Sequence, residues 1–303
     1  MKQISKENAG EIMIFGETLM YSLFPIIIAY STKILPPILF AGLSALVASI
    51  TLFIFLLFKR DLKSLKNKDT IKYTLGITLF IIIIPSVLIF TGSSKTSGIN
   101  TTILLQSEIL FTFLIFGLFS IEKITLRKTI GALIVLIGTF FIVYNGNSGI
   151  NKGDLLIIAG TFFYPIGNFF AKKALKVGPP STILFIRSFL GGIALITISL
   201  IFENQSTSLE KLSNYWPLIL LNGIFIYHLS KLLWYEGIKR IDISKAIPIS
   251  VGGYPAFSLL FAIFFLKEIP TSYQLIGFIA VIAGIFVLLK KSKNIEPIKA
   301  EGF

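Results

Sequence analysis

The chain has 303 residues, of which 54% are hydrophobic and only 14% charged, and it carries a formal net charge of +13. A water-soluble domain has nearer ~25% charged residues, and with 29 phenylalanines and a mean hydropathy of +0.84 this chain cannot leave its apolar surface in water. A soluble globular protein is therefore excluded, and the absence of cysteine means that disulfides say nothing about compartment.

In chain order, a polar start, "MKQISKEN", precedes the first apolar run. That run lacks a small-residue cleavage site and is too long for the apolar core of a signal peptide, so it reads as a span that stays. Near-continuous runs such as "LGITLFIIIIPSVLIF" and "IGALIVLIGTFFIVY" follow, and about 20 such residues cross the hydrocarbon core. Ten spans are predicted: 11–31, 36–58, 71–91, 99–119, 126–144, 154–174, 180–202, 216–238, 243–266 and 273–290. Spans with an internal proline, in "IIIIPSVL" and "GGYPAF", are expected to kink while neighbouring helices satisfy the freed carbonyls. No linker is long enough to fold alone. The fold class is an all-α polytopic membrane protein.

Charge placement sets the orientation. With the N-terminus inside, the cytoplasmic segments hold 21 Lys and Arg and the outer segments 5, with Arg187 and Lys231 left inside spans. Every pair of adjacent loops obeys the positive-inside rule, so both termini are placed in the cytoplasm. The basic balance is a topology signal, not a nucleic-acid footprint, and the basic loops also suit anionic lipid.

The chain repeats itself. At an offset of 146, "FTFLIFGLFSIEKITLRKTIGALIVLIGTFF" lies over "FSLLFAIFFLKEIPTSYQLIGFIAVIAGIFV". This pairs Glu122 with Glu268, Thr125 with Thr271, Gly131 with Gly277 and Gly138 with Gly284. At an offset of 144, "GETLMYSLFPIIIAYSTKILPP" matches "GTFFYPIGNFFAKKALKVGPP". Each half holds five spans, and an odd number reverses direction, giving an inverted repeat of the kind common in secondary transporters. The halves are 11–144 and 154–290, joined by a connecting loop at 145–153 and followed by a cytoplasmic tail at 291–303. The recurring glycines read as close-packing positions.

These motifs resemble the drug/metabolite transporter superfamily in its EamA-type ten-helix form. The resemblance covers nearly the whole chain. It rests on the acidic turns "IEKIT" and "LKEIPT" with the Gly-spaced helix after each, on "LLWYEGIKRIDISKA", and on the arginine-bearing helix "ILFIRSFLGG". The family's Trp-Gly of the first helix is replaced by "MYSLFP", and Leu43 stands where a first-half arginine would match Arg187. The resemblance implies proton-coupled, exchange or facilitated movement of small metabolites, often export of amino acids or related compounds.

Inside the spans lie Glu17, Glu108, Arg187, His228 and Lys231. A charge at a helix centre costs roughly +2.5 to +3.5 kcal/mol on insertion scales, and two acids here balance two bases. On an ideal helix His228, Lys231 and Tyr235 fall within about 60° of arc, which gives the eighth span one polar face. Glu17, Arg187 and Lys231 each lie roughly 10 Å from the cytoplasmic end at 1.5 Å per residue, and Glu108 lies near the midplane. Plainer readings exist. Lys231 could snorkel to the interface, Glu17 and Arg187 could form a structural ion pair, a lone histidine is often a packed one, and Glu236 reads as a solvated partner of Lys239 and Arg240. Intramembrane ionisable residues are nonetheless functional candidates by default.

The site expected is a central cavity open to each side in turn. Arg187 and Lys231 bind the anionic end of a small polar solute, and Glu17 or Glu108 holds an ammonium group or a coupling proton. Burial disfavours an ionised carboxyl and a nearby cation favours it, so Glu108, with no cation in its own span, is the better proton carrier. Gln106, His228, Trp234 and the "SVGGYP" stretch, residues 250–255, complete the candidate lining. Arg187→Ala or Lys231→Ala is expected to abolish transport and leave folding intact. A nucleotide-sugar or phosphorylated-sugar exchanger, which wants more cations, and a drug exporter remain alternatives. An intramembrane enzyme is the remote one: "GNSG" at 146–149 fits a serine-protease pattern, but its serine lies in the outer connection, far from His228. No Cys, no His-Glu-x-x-His and a single His exclude a multi-His metal site, so neither metal nor cofactor is expected. The candidate partners are the solute, protons, the lipid bilayer and a second copy of the chain in a homodimer.

Overall fold

The computed structural model describes residues 6–118, 125–144, 151–203, 209–241 and 243–289. Among these there are helices and no strands. We number the spans α1 (Lys6–Tyr21 and Phe24–Ser31), α2 (Pro37–Phe58), α3 (Lys68–Ser93), α4 (Gly98–Leu104 and Ser107–Leu118) and α5 (Leu126–Tyr144). The second half has α6 (Lys152–Thr161 and Tyr164–Val177), α7 (Pro180–Phe202), α8 (209–238), α9 (243–266) and α10 (Ser272–Leu289). Eight of these helices are long and apolar enough to cross a membrane, and two shorter apolar stretches, Gly253–Leu266 and Ser272–Leu288, make up the ten. The turn with Glu122, the "GNSG" stretch and the tail from 290 lie outside the described residues.

Local sequence sets the helix starts. Asn67, Ser97 and Asn151 each accept backbone N–H groups at the first turn of α3, α4 and α6, as N-cap side chains do. Pro37 and Pro180 stand in the first turns of α2 and α7, where the missing N–H costs nothing. Two of these starts, those of α2 and α4, are also capped from the opposite half. The Glu203 carboxylate accepts from Ile38 N and Leu39 N at 2.8 and 2.9 Å. Glu268, from the recurring acidic turn, accepts from Gly98 N and Ile99 N at 2.9 and 2.8 Å. A carboxylate at a helix N-terminus answers both the free donors and the dipole.

Helix pairing follows the inverted repeat. α2 packs on α7, α5 on α10, α1 on α8, and α6 on α3. Exchanging the halves maps the first two pairs onto themselves and swaps the last two. At the α5–α10 crossing the recurring glycines meet. A Cβ on Gly131 would lie 2.9 Å from the Gly284 carbonyl oxygen, and one on Gly138 2.8 Å from that of Gly277. Close packing is thus their role here. Large apolar side chains such as Leu133, Ile137, Phe140, Leu200 and Phe202 remain exposed, as a lipid-facing surface requires.

The spans are not uniform. α1 breaks at Ser22–Leu23 and α6 at Phe162–Phe163, and each resumes with a proline, Pro25 or Pro165, in its first turn. α4 breaks at Leu105–Gln106. The kink expected before Pro85 is a π-helical stretch, Thr78–Ile83, and the matching helix of the second half has its own at Leu221–Ser230. Such stretches shift the angular phase of everything after them.

Candidate functional site

Glu17 of α1 is fully buried. One carboxylate oxygen receives the Lys231 ammonium from α8 at 3.2 Å, and the other accepts the Tyr254 hydroxyl from α9. The same ammonium sits 3.2 Å from the centroid of the Tyr21 ring. Tyr21 follows Glu17 by one helical turn, so the two share a face. Its ring stacks on Phe24 at 5.3 Å and meets Tyr254 edge-on, also at 5.3 Å. Lys231 therefore neither snorkels nor stands free. The pairing Glu17–Arg187 does not occur; Lys231 is the partner.

Glu108 stands in the first turn after the α4 break, and its Oε1 accepts from the Asn168 amide of α6 at 3.0 Å. Arg187 of α7 is only 5% exposed, its Nε has no hydrogen-bond partner, and no ion pair reaches it among the described residues. The charges of Glu17, Glu108 and Arg187 all act on Lys231. Arg187 also acts on the buried hydroxyls of Tyr21, Tyr164 and Tyr227. Of the four charged residues expected from the sequence, Glu17 and Lys231 are in direct contact, while Arg187 is buried on α7 and Glu108 part-buried on α4. The tyrosines and Asn168 beside them were not anticipated.

The remaining candidates sit elsewhere or at the edge. His228 does not share a polar face with Lys231. The π stretch ends between them, and the imidazole turns to α2, where Nδ1 lies 2.8 Å from Thr51 Oγ1 and the ring packs edge-on against Phe55. Its Nε2 has no hydrogen-bond partner among the described residues. Gln106 lies in the α4 break and donates to the Thr102 carbonyl at 3.4 Å. Trp234 is half-buried between the main apolar cluster and a small one formed by Ile14, Ile241 and Ala246. In "SVGGYP", Tyr254 is the residue that reaches the charges. Glu236 pairs with Lys239 at 3.3 Å and Arg240 at 2.8 Å near the helix end, as expected. No group of three or more metal-ligating side chains occurs among the described residues.

A cavity of about 310 Å³ opens at the cytoplasmic end between the α6–α7 turn and the end of α8. Leu175, Gly178, Pro179, Pro180, Tyr235, Ile238 and Lys239 line it. Tyr235, which lines it, stands one turn from Lys231 on α8.

Ten apolar helices in antiparallel halves around buried charges define a polytopic membrane transporter. The EamA-like transporter family model matches twice, over residues 8–144 and 151–290, and the chain belongs to that family. It is 27% identical over 239 residues to an uncharacterized transporter of Methanothermobacter thermautotrophicus, covering 76% of this chain and 67% of that one. It is 24% identical over 257 residues to the uncharacterized transporter YoaV of Bacillus subtilis, covering 84% and 87%. A solved crystal structure matches with a TM-score of 0.64 at 17% identity over 93% of this chain and 96% of the other, a likeness of fold.

Proposed function

We propose that this transporter exports or exchanges amino acids or closely related compounds by alternating access, with Arg187 as the seat of the solute carboxylate and Glu108 as carrier of a coupling proton. The observation that carries the reading is Arg187: a guanidinium buried in the bundle with no anionic partner among the described residues. Burying a charge is costly unless something answers it, and a guanidinium fork suits a carboxylate. The sequence pointed to Arg187 and Lys231 together. With Lys231 seated on Glu17, the anion-binding role falls to Arg187. Glu108 has an amide neighbour and, among the described residues, no cation in ion-pair contact, which suits a carboxyl that gains and loses a proton.

The test is counterflow in proteoliposomes with labelled amino acids, with and without a pH gradient. Gradient-sensitive uptake that Arg187→Ala abolishes and Arg187→Lys partly restores is expected. Absence of uptake of every amino acid by the intact protein contradicts the proposal.

A further inference from the structure

We propose that Glu17, Tyr21 and Tyr254 form a binding box for a primary ammonium group, filled in this structure by the chain's own Lys231 and taken over by the solute's ammonium during transport. This deepens the preceding reading and rests on it for the identity of the solute. The box is complete without the lysine. A fully buried carboxylate supplies one oxygen to an ammonium while Tyr254 holds the other, and the Tyr21 ring closes one side beneath the cation. Acid plus aromatic face is the chemistry that recognises ammonium groups.

The two partners of the ion pair are not equally fixed. The Glu17 side chain is 0% exposed and the Lys231 side chain 22%. The lysine reaches the carboxylate on a flexible four-carbon stem, so it is the member that can withdraw. If it withdrew alone it would leave a buried carboxylate uncompensated, which is strongly destabilising. It can leave only as another cation arrives. Arg187, buried on α7, is the seat assigned above to the solute carboxylate. A solute that carries an ammonium and a carboxylate thus meets both requirements at once.

The probe is n-propylammonium, which replaces the amine end of the lost side chain. In Lys231→Ala, purified full-length and followed by thermal unfolding, millimolar n-propylammonium is expected to raise Tm by several degrees, while n-propanol does not; in Lys231→Met, which lacks only the ammonium, ammonium ion is the matching probe and is expected to do the same. Adding Glu17→Gln to either variant removes the response. The wild-type protein needs at least about tenfold more amine for half the effect, because its tethered ammonium competes at high effective concentration. Lys231→Met keeps the bulk of the side chain and serves where Lys231→Ala does not fold. An amine that leaves both variants unchanged, or that stabilises wild type and variants alike, overturns the proposal. Amino-acid counterflow is scored separately. Uptake without an amine response refutes the box alone, and an amine response without uptake refutes the amino-acid reading alone.

Discussion

The two ends of the molecule are built from the same pieces and finish differently. Each half turns from its first helix to its second through a Pro-Pro step, "ILPP" outside and "VGPP" inside. At the outer end the residue before the prolines is Leu35, which is buried in the main apolar cluster with Ile38, Ile89 and Phe90. At the inner end it is Gly178, and the cavity opens there against Tyr235 and Ile238 of α8. Glycine is needed because Thr70 approaches closely: a Cβ at 178 would lie 2.5 Å from its Oγ1. At one end a leucine packs into the core, and at the other a glycine lies between Thr70 and the cavity. An inverted repeat can present two opposite states through one architecture.

The comparison can be broken at several points. The largest effect is expected at the Glu17–Lys231 pair. Lys231→Ala leaves Glu17 buried without a cation and should cost on the order of 3 to 5 kcal/mol, read as a fall in Tm. The double variant Glu17→Gln/Lys231→Met should recover most of that stability without recovering transport. The sequence alone led us to expect that Lys231→Ala would spare folding. With the pair in view, Arg187→Ala is the substitution that should spare it.

Next comes the outer seal. Leu35→Ala removes a buried side chain and should cost about 2 to 3 kcal/mol, while making the outer end reachable by water-soluble reagents. Filling the inner end should act the other way. Ile238→Phe narrows the cavity with little change in Tm, and should raise the KM for solute presented from the cytoplasm several-fold while sparing the outer side. The smallest effect concerns Glu268. Glu268→Gln weakens the cap on α4 and should lower stability by about 1 kcal/mol, with transport retained.

Much of this was legible in the sequence, and for physical reasons. Spans declare themselves by length and hydropathy, orientation by lysine placement, and the repeat by Gly131, Gly138, Gly277 and Gly284, whose spacing is the spacing of a helix crossing. The observed helices α5 and α7 have the predicted bounds, 126–144 and 180–202. Long-range partners were not legible. Nothing local ties Lys231 to Glu17 rather than leaving it free, or Glu108 to Asn168, because those pairs depend on which helix lies beside which. The phase of α8 misled in a specific way. An ideal helix puts His228 and Lys231 on one face, but the π stretch at Leu221–Ser230 turns His228 to Thr51 and Lys231 to Glu17. Tyr21 and Tyr254 read as ordinary aromatics until the α1–α9 contact made them the walls of a charged site. The acidic turn showed the reverse: its recurrence was visible, and its job, holding a helix start in the other half, was not.

The central claim is that the ends open in alternation around buried charges. The chain has no cysteine, so single cysteines at Leu35 and Ile238 can report each end. Labelling by a membrane-impermeant maleimide would be compared from each side, with and without a mixed amino-acid pool. The account predicts that without solute Cys at 238 reacts from the cytoplasmic side and Cys at 35 does not react from outside. It further predicts that solute lowers the first rate as it raises the second. Reaction at both ends together, or rates that ignore solute, would contradict it.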